Sequence, residues 1–370
     1  MSERPTLGVG LMSGTSLDGM DAALVRFESP TRVELLDFVS RAYARDEREL
    51  VLEALRVGTP SALAALHVTV AEWAAEATDA LLAQARVPAS ALAFLSMHGQ
   101  TVWHQPPRVS WQLGEPALLA ERFGVPVVSN FRARDVAAGG EGAPLVPMAD
   151  VLLFGAADGP RTLLNLGGMA NLTWVPRRAQ EEGVLAFDTG PGVAVIDAVA
   201  RLVAPDRPFD VDGALAGQGR PDERVLDDLL ADPFFQLAPP RSTGRERFGE
   251  AYAQALHARV PGADGVATAV ALTARSVAAA IARWVPAGGD ILVSGGGLHH
   301  PVLQRALAAA LAAHGRPSPN RFDEHFFDGD AKEAVAFALL GYLTLHGQPG
   351  NVPAATGASG PRVLGSITPP

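Results

Sequence analysis

Small, hydroxylic and acidic side chains are concentrated in one short segment near the start of the chain. This segment comprises Gly14, Thr15, Ser16, Leu17, Asp18, Gly19, Met20 and Asp21. Thr15 and Ser16 offer hydroxyl donors beside backbone N–H groups, which suits phosphate oxygens. Asp18 and Asp21 would repel a bare phosphate, but a divalent cation such as Mg²⁺ removes that repulsion. The segment therefore predicts a loop that binds a Mg-nucleotide, with Asp18 as a magnesium ligand, usually through water.

Apolar runs flank this segment, and the run after it alternates with the period of a strand, so we expect a β-hairpin with the segment at its tip. We expect Gly14 and Gly19 to adopt positive φ and let a ligand approach the backbone. The alternative is that these are ordinary turn residues. A P-loop is excluded because the only lysine is Lys332, and the Rossmann spacing fails because a strand follows the glycines. A phosphate-binding hairpin is typical of the actin, hexokinase and Hsp70-like ATPases.

The same pattern of apolar run, polar glycine turn and apolar run returns at residues 162–175. The turn contains Gly167 and Gly168, and Asn171 follows it. Two such hairpins about one domain apart indicate an internal duplication. We expect the two tips to face each other across a cleft and to clasp the phosphate chain.

Asp188 follows an apolar run, residues 184–187, and precedes a helix predicted for Val193 to Val203. Pro191 suits a position near the start of that helix, and we expect free backbone N–H groups beyond Asp188. One interpretation is that Asp188 merely caps the helix. The other is that it is a general base in the cleft.

Further candidate residues lie at the ends of predicted strands and in loops. Three glycines, Gly295, Gly296 and Gly297, follow the strand at residues 290–294 and leave space for a flat group such as adenine. The polar residues from His98 to His104 follow a buried strand, where open α/β sheets bind ligands. A histidine metal site there lacks a third ligand at suitable spacing. The candidate substrate contacts are His98, Gln100, Arg132 and Asp135, and the arginine and aspartate are otherwise ordinary surface charges.

Composition limits the class of protein. A length of 370 residues favours two domains, which we place at residues 1–130 with about 346–370, and at 131–345. The net charge of −10 and the lack of a basic cluster argue against a nucleic-acid partner. The absence of cysteine excludes disulfides and thiolate chemistry, and we expect a cytoplasmic protein without a signal peptide or membrane segment.

In order along the chain, seven motifs together resemble the anhydro-N-acetylmuramic acid kinase family over essentially the whole length. They are MSGTSLDG at 12–19, HGQTV at 98–102, GGEGAPLVP at 139–147, LNLGGMANL at 164–172, FDTGPG at 187–192, STGRE at 242–246 and GGG at 295–297. The resemblance implies an α/β fold of two actin/RNase H-like domains, with mixed sheets flanked by helices and an active-site cleft between them.

The resemblance also implies an ATP- and Mg²⁺-dependent enzyme of cell-wall recycling, usually a homodimer. The family opens the 1,6-anhydro bridge of anhydro-N-acetylmuramic acid with water and phosphorylates O6, giving N-acetylmuramate 6-phosphate and ADP. Asp188 would be the base that activates the water, and Glu333 a further active-site carboxylate. The chain departs from the family pattern at Glu115, Glu141 and Val193, where Asp, Gln and Asn are usual. Two alternatives stay open: another sugar kinase of this fold that acts on a free hydroxyl, and a non-enzymatic ATP-dependent switch.

Overall fold

The chain divides into two compact units in the structure, a computed structural model that describes residues 5–14 and 17–370. Unit 1 comprises Met1–Phe154 and Ala331–Pro370, and unit 2 comprises Gly155–Asp330. The predictions for Thr15 and Ser16 lie outside the described residues.

Both units combine strands with helices. The strands are β1 (Thr6–Ser13), β2 (Gly19–Ser29), β3 (Arg32–Ala42), β4 (Phe94–Gln105), β5 (Val109–Leu113), β6 (Val127–Ser129), β7 (Arg161–Leu166), β8 (Met169–Val175), β9 (Leu185–Pro191), β10 (Asp290–Ser294), β11 (Asn320–Arg321) and β12 (Ser366–Thr368). The helices are α1 (Arg45–Val57), α2 (Pro60–Ala85), α3 (Pro116–Phe123), α4 (Phe131–Ala137), α5 (Pro147–Ala149), α6 (Val193–Val203), α7 (Glu223–Leu230), α8 (Glu250–Arg259), α9 (Ala263–Trp284), α10 (Pro301–Ala313), α11 (Lys332–Leu345) and α12 (Pro353–Thr356).

The two sheets repeat one topology. In unit 1 the order is β12-β6-β4-β1-β2-β3, with β5 paired to β4, and in unit 2 it is β11-β10-β7-β8-β9. Each sheet starts with an antiparallel meander of three strands, β1–β3 in unit 1 and β7–β9 in unit 2. Two later strands then pair in parallel, starting from the first strand of the meander. They are β4 and β6 in unit 1, and β10 and β11 in unit 2. The predicted α/β class with two mixed sheets is confirmed, and the shared topology is what the predicted duplication requires.

Side-chain alternation explains how the unit 1 sheet is covered on both faces. Leu95 and Met97 of β4 belong to the core cluster that α2 covers, whereas Ser96 between them donates a hydrogen bond to the backbone of α11. Gly10 of β1 also faces α11, and a Cβ built on it would lie 1.9 Å from the Ala334 carbonyl oxygen. Glycine is therefore required where α11 crosses β1.

The unit 2 sheet buries one face under α6, α8 and α9 in one large apolar cluster. α9 is long and apolar enough to cross a membrane by length and composition, but 83% of its most apolar window is buried inside the protein. A long apolar helix that is mostly buried is typical of a protein core, so we assign α9 to the core of unit 2.

One predicted segment has a different structure. The residues from His98 to His104, expected to follow a buried strand, continue that strand, β4, into a hairpin with β5. After β6, residues Phe131–Ala137 form α4. The tail after residue 346 packs back onto unit 1, where β12 pairs with β6.

The unit boundaries also differ from those predicted at residues 130 and 345. Residues 131–154 and α11 lie in unit 1. The close packing of α11 on Gly10 explains the second difference. The first follows from Asp135, whose carboxylate bonds to Asn351 and Thr356 of the tail.

Candidate active site

The tip of the first hairpin is anchored through its carbonyl groups. The Gly14 carbonyl accepts hydrogen bonds from the Leu17 N–H and from the Gln100 side-chain amide, both at 3.3 Å. The Asp18 carbonyl accepts from the Tyr43 N–H at 2.9 Å. These bonds anchor Gly14 and Asp18, two of the described residues of the tip, to the rest of unit 1.

Gln100, which we predicted as a substrate contact, supports this tip in the structure. Its side chain is 1% exposed, and its Oε1 accepts from the Ser13 hydroxyl at 2.6 Å. The Ser13 oxygen in turn lies 2.9 Å from the Tyr43 hydroxyl, which must donate because Ser13 has a single proton. Burial raises the pKa of Tyr43 to about 12, so the phenol stays a neutral donor.

Two other predicted phosphate-loop residues belong to the core. Leu17 is 5% and Met20 0% exposed, so only their backbone is available to a nucleotide. Leu17 carries the positive φ, 59°, whereas Gly19, for which we expected it, does not. Glycine is required at position 19 for another reason: a Cβ there would lie 2.4 Å from the Arg41 carbonyl oxygen.

The acidic residues of the tip suit Mg²⁺ that arrives with a nucleotide. Asp18 is exposed and Asp21 is half-buried. Among the described residues there is no group of three or more His, Asp or Glu side chains able to hold a metal by themselves. Mg²⁺ commonly takes one or two carboxylates and completes its shell with water and phosphate oxygens, so an exposed Asp18 fits that donor set.

His98, Arg132 and Glu333 form a second polar group in unit 1. Arg132 Nε donates to His98 Nε2 at 3.0 Å, and His98 Nδ1 donates to the Gly99 carbonyl at 2.7 Å. Burial, reinforced by the Arg132 charge, lowers the pKa of His98 to about 3, so the imidazole is neutral and accepts from Arg132. Burial raises the pKa of Glu333, with smaller opposing effects from Lys332 and Arg132.

Asp135, which we predicted as a substrate contact, bonds to the tail of unit 1 and to the loop after α4 in the structure. It is 0% exposed. One oxygen accepts from Asn351 Nδ2 and Thr356 Oγ1, both at 2.7 Å, and the other from the Gly142 N–H at 2.8 Å. A substrate would have to break this network to reach the carboxylate.

The second hairpin tip is fastened to the start of α6. The Gly167 carbonyl accepts from the Val193 N–H at 2.9 Å, and the Gly168 carbonyl accepts from Gly192 and Ala194 at 2.9 and 3.1 Å. The expectation of free N–H groups just beyond Asp188 is therefore wrong for these three residues. A Cβ on Gly192 would lie 2.0 Å from the Gly167 oxygen, so this junction depends on glycine.

Asp188 lies within β9, and a neighbouring loop forms three hydrogen bonds with it. The Thr243 N–H donates to Asp188 Oδ2 at 2.7 Å. Arg241 Nε donates to the Asp188 carbonyl at 2.8 Å, and the Asp188 N–H donates to the Arg241 carbonyl at 3.0 Å. The buried Arg241 guanidinium also lies over the Phe187 ring, 5.4 Å from its centroid. Asp188 is thus a fixed, half-buried carboxylate and not a helix cap.

A row of polar residues crosses four neighbouring strands of unit 2. In register, Ser294 of β10 pairs with Asn165 of β7, Asn165 with Asn171 of β8, and Asn171 with Asp188 of β9. Residues paired in register project from the same face of a sheet. The row therefore brings the predicted Asn171 and Asp188 together with Asn165 and Ser294, which the sequence interpretation missed.

The glycine triplet serves the fold at two of its three positions. A Cβ on Gly295 would lie 2.4 Å from Asn165 Oδ1, and one on Gly297 would lie 2.6 Å from Leu166 Cβ. A Cβ on Gly296 would meet nothing within 4 Å. Only Gly296 therefore keeps the open space that we predicted for adenine.

The residues missed by sequence reasoning share one property: register or packing brings them to the site, not a local motif. Asn165 and Ser294 end their strands, so pairing β7 with β10 would have identified them. Tyr43 lies just after β3 and offers no such signal, because nothing local distinguishes its hydroxyl from that of any half-exposed tyrosine.

The model of the family described as anhydro-N-acetylmuramic acid kinase matches residues 6–370. The chain belongs to this family. It is 44% identical over 374 residues to the anhydro-N-acetylmuramic acid kinase of Xanthomonas campestris pv. campestris (strain 8004), covering 98% of this chain and 97% of the relative. The corresponding protein of Gloeobacter violaceus is also 44% identical, with 99% of each chain covered. A solved ROK hexokinase from Thermus thermophilus matches at a TM-score of 0.42 and 18% identity, covering 92% of this chain and 100% of the hexokinase.

Membership in a kinase family makes this chain an enzyme that transfers a phosphoryl group to a sugar hydroxyl. The predicted alternative of a non-enzymatic switch is thereby set aside. Among the three departures, Glu115 caps α3 by accepting from the Ala117 N–H at 3.1 Å. Val193 acts at the hairpin junction through its backbone, and its side chain packs against the unit 2 core.

Proposed function

We propose that this kinase uses ATP and Mg²⁺ to convert anhydro-N-acetylmuramic acid into N-acetylmuramate 6-phosphate and ADP, as part of cell-wall recycling. Asp188 removes a proton from water, and the water oxygen bonds to C1 of the sugar. The C1–O6 bond of the bridge breaks, and O6 attacks the γ-phosphorus of ATP, from which ADP leaves. One carboxylate thus starts a sequence in which the leaving group of the first step is the nucleophile of the second.

The position of Asp188 is the observation that supports this proposal most directly. Its carboxylate stands at the end of the polar row, beside Asn171, and the Thr243 N–H fixes one of its oxygens at 2.7 Å. Fixing the base in advance reduces the entropy lost on reaching the transition state. The family's name supplies the substrate, and the fixed carboxylate supplies a base for the water.

The first hairpin is our candidate for holding the nucleotide phosphates. Its backbone at Gly14 and Leu17–Gly19 would contact phosphate oxygens, and Asp18 would hold Mg²⁺ through water. When bound, Mg²⁺ neutralises charge that develops on the phosphate oxygens. Gly167, Gly168 and Asn171 of the second hairpin are proposed to serve the same nucleotide, and Gly296 to leave space for adenine.

The group of His98, Arg132 and Glu333 is our candidate for sugar contacts. Neutral His98 orients the Arg132 guanidinium through a 3.0 Å hydrogen bond. A guanidinium is suited to sugar oxygens or a carboxylate, since it offers several donors in one plane. Glu333, whose pKa burial raises, is suited to exchange a proton with a sugar oxygen.

We also propose that the enzyme is a cytoplasmic homodimer. The resemblance to the family supports both statements. Light scattering on the purified protein would give twice the 38.5 kDa chain mass for a dimer, and a monomer mass would contradict the proposal.

Replacement of Asp188 tests the catalytic proposal. Asn keeps an oxygen that can accept from the Thr243 N–H but cannot take a proton, so Asp188→Asn should lower kcat by about 10²–10⁴-fold. ATP affinity, measured by calorimetry, should stay within about twofold. The control is Asp206→Asn, which changes an exposed aspartate of the same unit. Unchanged kcat in Asp188→Asn would overturn the assignment.

A further inference from the structure

One arginine near the second hairpin, Arg245, has a side chain without a polar partner among the described residues. Within the part of the chain that the structure describes, Arg245 makes no hydrogen bond and no ion pair, and it is exposed. Its Nη2 nevertheless lies 3.7 Å, and its Nε 4.0 Å, from the point that a Cβ on Gly168 would occupy. The guanidinium is thus placed beside the glycine tip without being used there by the protein.

The side chains of the other two arginines of this loop have polar partners within the protein. Arg241 Nη1 donates to the carbonyls of Phe234 and Leu237 at 3.1 and 2.8 Å. Arg247 pairs with Asp232 at 2.5 Å. The contrast makes Arg245 the arginine of this loop that is available to an external anion.

The loop that carries Arg245 is rigidly attached to the site. Thr243, two residues earlier, donates its N–H to the Asp188 carboxylate, and Arg241 bonds to the Asp188 backbone. The Phe248 N–H donates to the Gly244 carbonyl at 3.0 Å, which closes the loop on the other side of Arg245. The backbone that carries the Arg245 side chain is therefore fixed relative to Asp188, the proposed base.

We propose that Arg245 binds a phosphate oxygen of the nucleotide beside Gly168. This inference rests on the proposed use of ATP by the second hairpin. The glycine at position 168 leaves room for an oxygen between the guanidinium and the hairpin backbone. A guanidinium can donate two hydrogen bonds to one phosphate group, which would fix the phosphate chain relative to Asp188.

The test compares the binding of ATP and adenosine to the whole protein in the presence of Mg²⁺, by calorimetry. Arg245→Ala should weaken ATP binding by about tenfold or more, because a charge-assisted hydrogen bond is lost, while adenosine binding stays within about twofold. Arg245→Lys should recover part of the ATP affinity. Arg224→Ala, an exposed arginine of α7, is the matched control and should change neither ligand.

The outcomes separate this inference from the proposed function. If the unmodified protein binds ATP and phosphorylates the sugar, but Arg245→Ala behaves like Arg224→Ala, the inference alone is overturned. If the unmodified protein binds no ATP, both are overturned. Near-ultraviolet circular dichroism of each variant identifies loss of the native fold, and Arg245→Gln then replaces a misfolded alanine variant.

Discussion

Buried polar side chains in this chain divide into those that hold the fold and those that are available to a ligand, and residue type alone does not separate them. Gln100 and Asp135 were candidates for substrate contact because they follow strands or sit in glycine-rich segments. In the structure both are almost completely buried, and Gln100 Oε1 and both Asp135 carboxylate oxygens accept hydrogen bonds from the chain itself. Asp188 is half-buried and pairs in register with Asn171, and its role as the general base stays a proposal.

Asp197 gives a prediction about stability and pH. Burial raises its pKa from 3.8 to about 6, against the charges of Arg201, His300 and Arg245 and with support from Asp210. Between these two values the native state binds more protons than the unfolded state, so this group lowers stability as pH rises from about 4 to about 6.

Asp197→Asn removes that effect. The unfolding free energy of the variant minus that of the unmodified protein should increase by about 1–2 kcal/mol from pH 4.5 to pH 7. This value is reduced because the carboxylate is partly exposed. Urea unfolding at both pH values measures the difference. A difference between variant and parent that is the same at pH 4.5 and pH 7 would contradict the raised pKa.

At the scale of elements, periodicity in the sequence was sufficient for most helices and strands. The helix predicted for Val193 to Val203 agrees with α6 at both ends, and the hairpin at residues 162–175 forms β7 and β8. The sequence was insufficient where two elements meet. The backbone N–H groups at the start of α6 donate to the carbonyls of Gly167 and Gly168. This contact depends on long-range packing, which neither periodicity nor turn residues can predict.

The junction between α6 and the hairpin gives a prediction. Gly192→Ala places a Cβ 2.0 Å from the Gly167 carbonyl oxygen, so the tip or the helix must move. We expect a loss of about 2–4 kcal/mol of unfolding free energy, with weaker ATP binding. Gly159→Ala is the control, because a Cβ there meets nothing within 4 Å and the residue has no positive φ.

Urea unfolding and calorimetry measure these two effects. Equal stability of Gly192→Ala and Gly159→Ala would show that the junction tolerates a side chain. Reduced stability with unchanged ATP affinity would show that the tip is not part of the nucleotide site.

At the scale of the whole molecule, two sheets with one topology explain why the sequence shows two similar hairpins. The order of strands within each sheet was not predictable from the sequence, because it depends on which strands pair over long separations. The boundaries of the units could not be predicted from the sequence either. α11 follows the second half of the chain, but it packs on Gly10 and belongs to unit 1.

Removal of metal gives a prediction for the whole enzyme. The described residues contain no cluster able to hold a metal without a nucleotide, so EDTA should leave the melting temperature of the protein alone unchanged. With an ATP analogue that cannot be hydrolysed, at about 100 times its Kd, the protein should gain about 2.7 kcal/mol of stability, and EDTA should remove most of this gain. Thermal unfolding in the four conditions measures both effects. A melting temperature that falls with EDTA alone would indicate a metal bound by the protein itself.

The fate of the water oxygen tests the central claim most directly. The enzyme is incubated with anhydro-N-acetylmuramic acid, ATP and Mg²⁺ in water enriched in oxygen-18, and the product is analysed by mass spectrometry. The account predicts one heavy oxygen at C1 of a 6-phosphorylated sugar, formed together with ADP, and no label in the transferred phosphoryl group. A phosphorylated product that still contains the intact anhydro bridge, or no phosphorylated product at all, would contradict it.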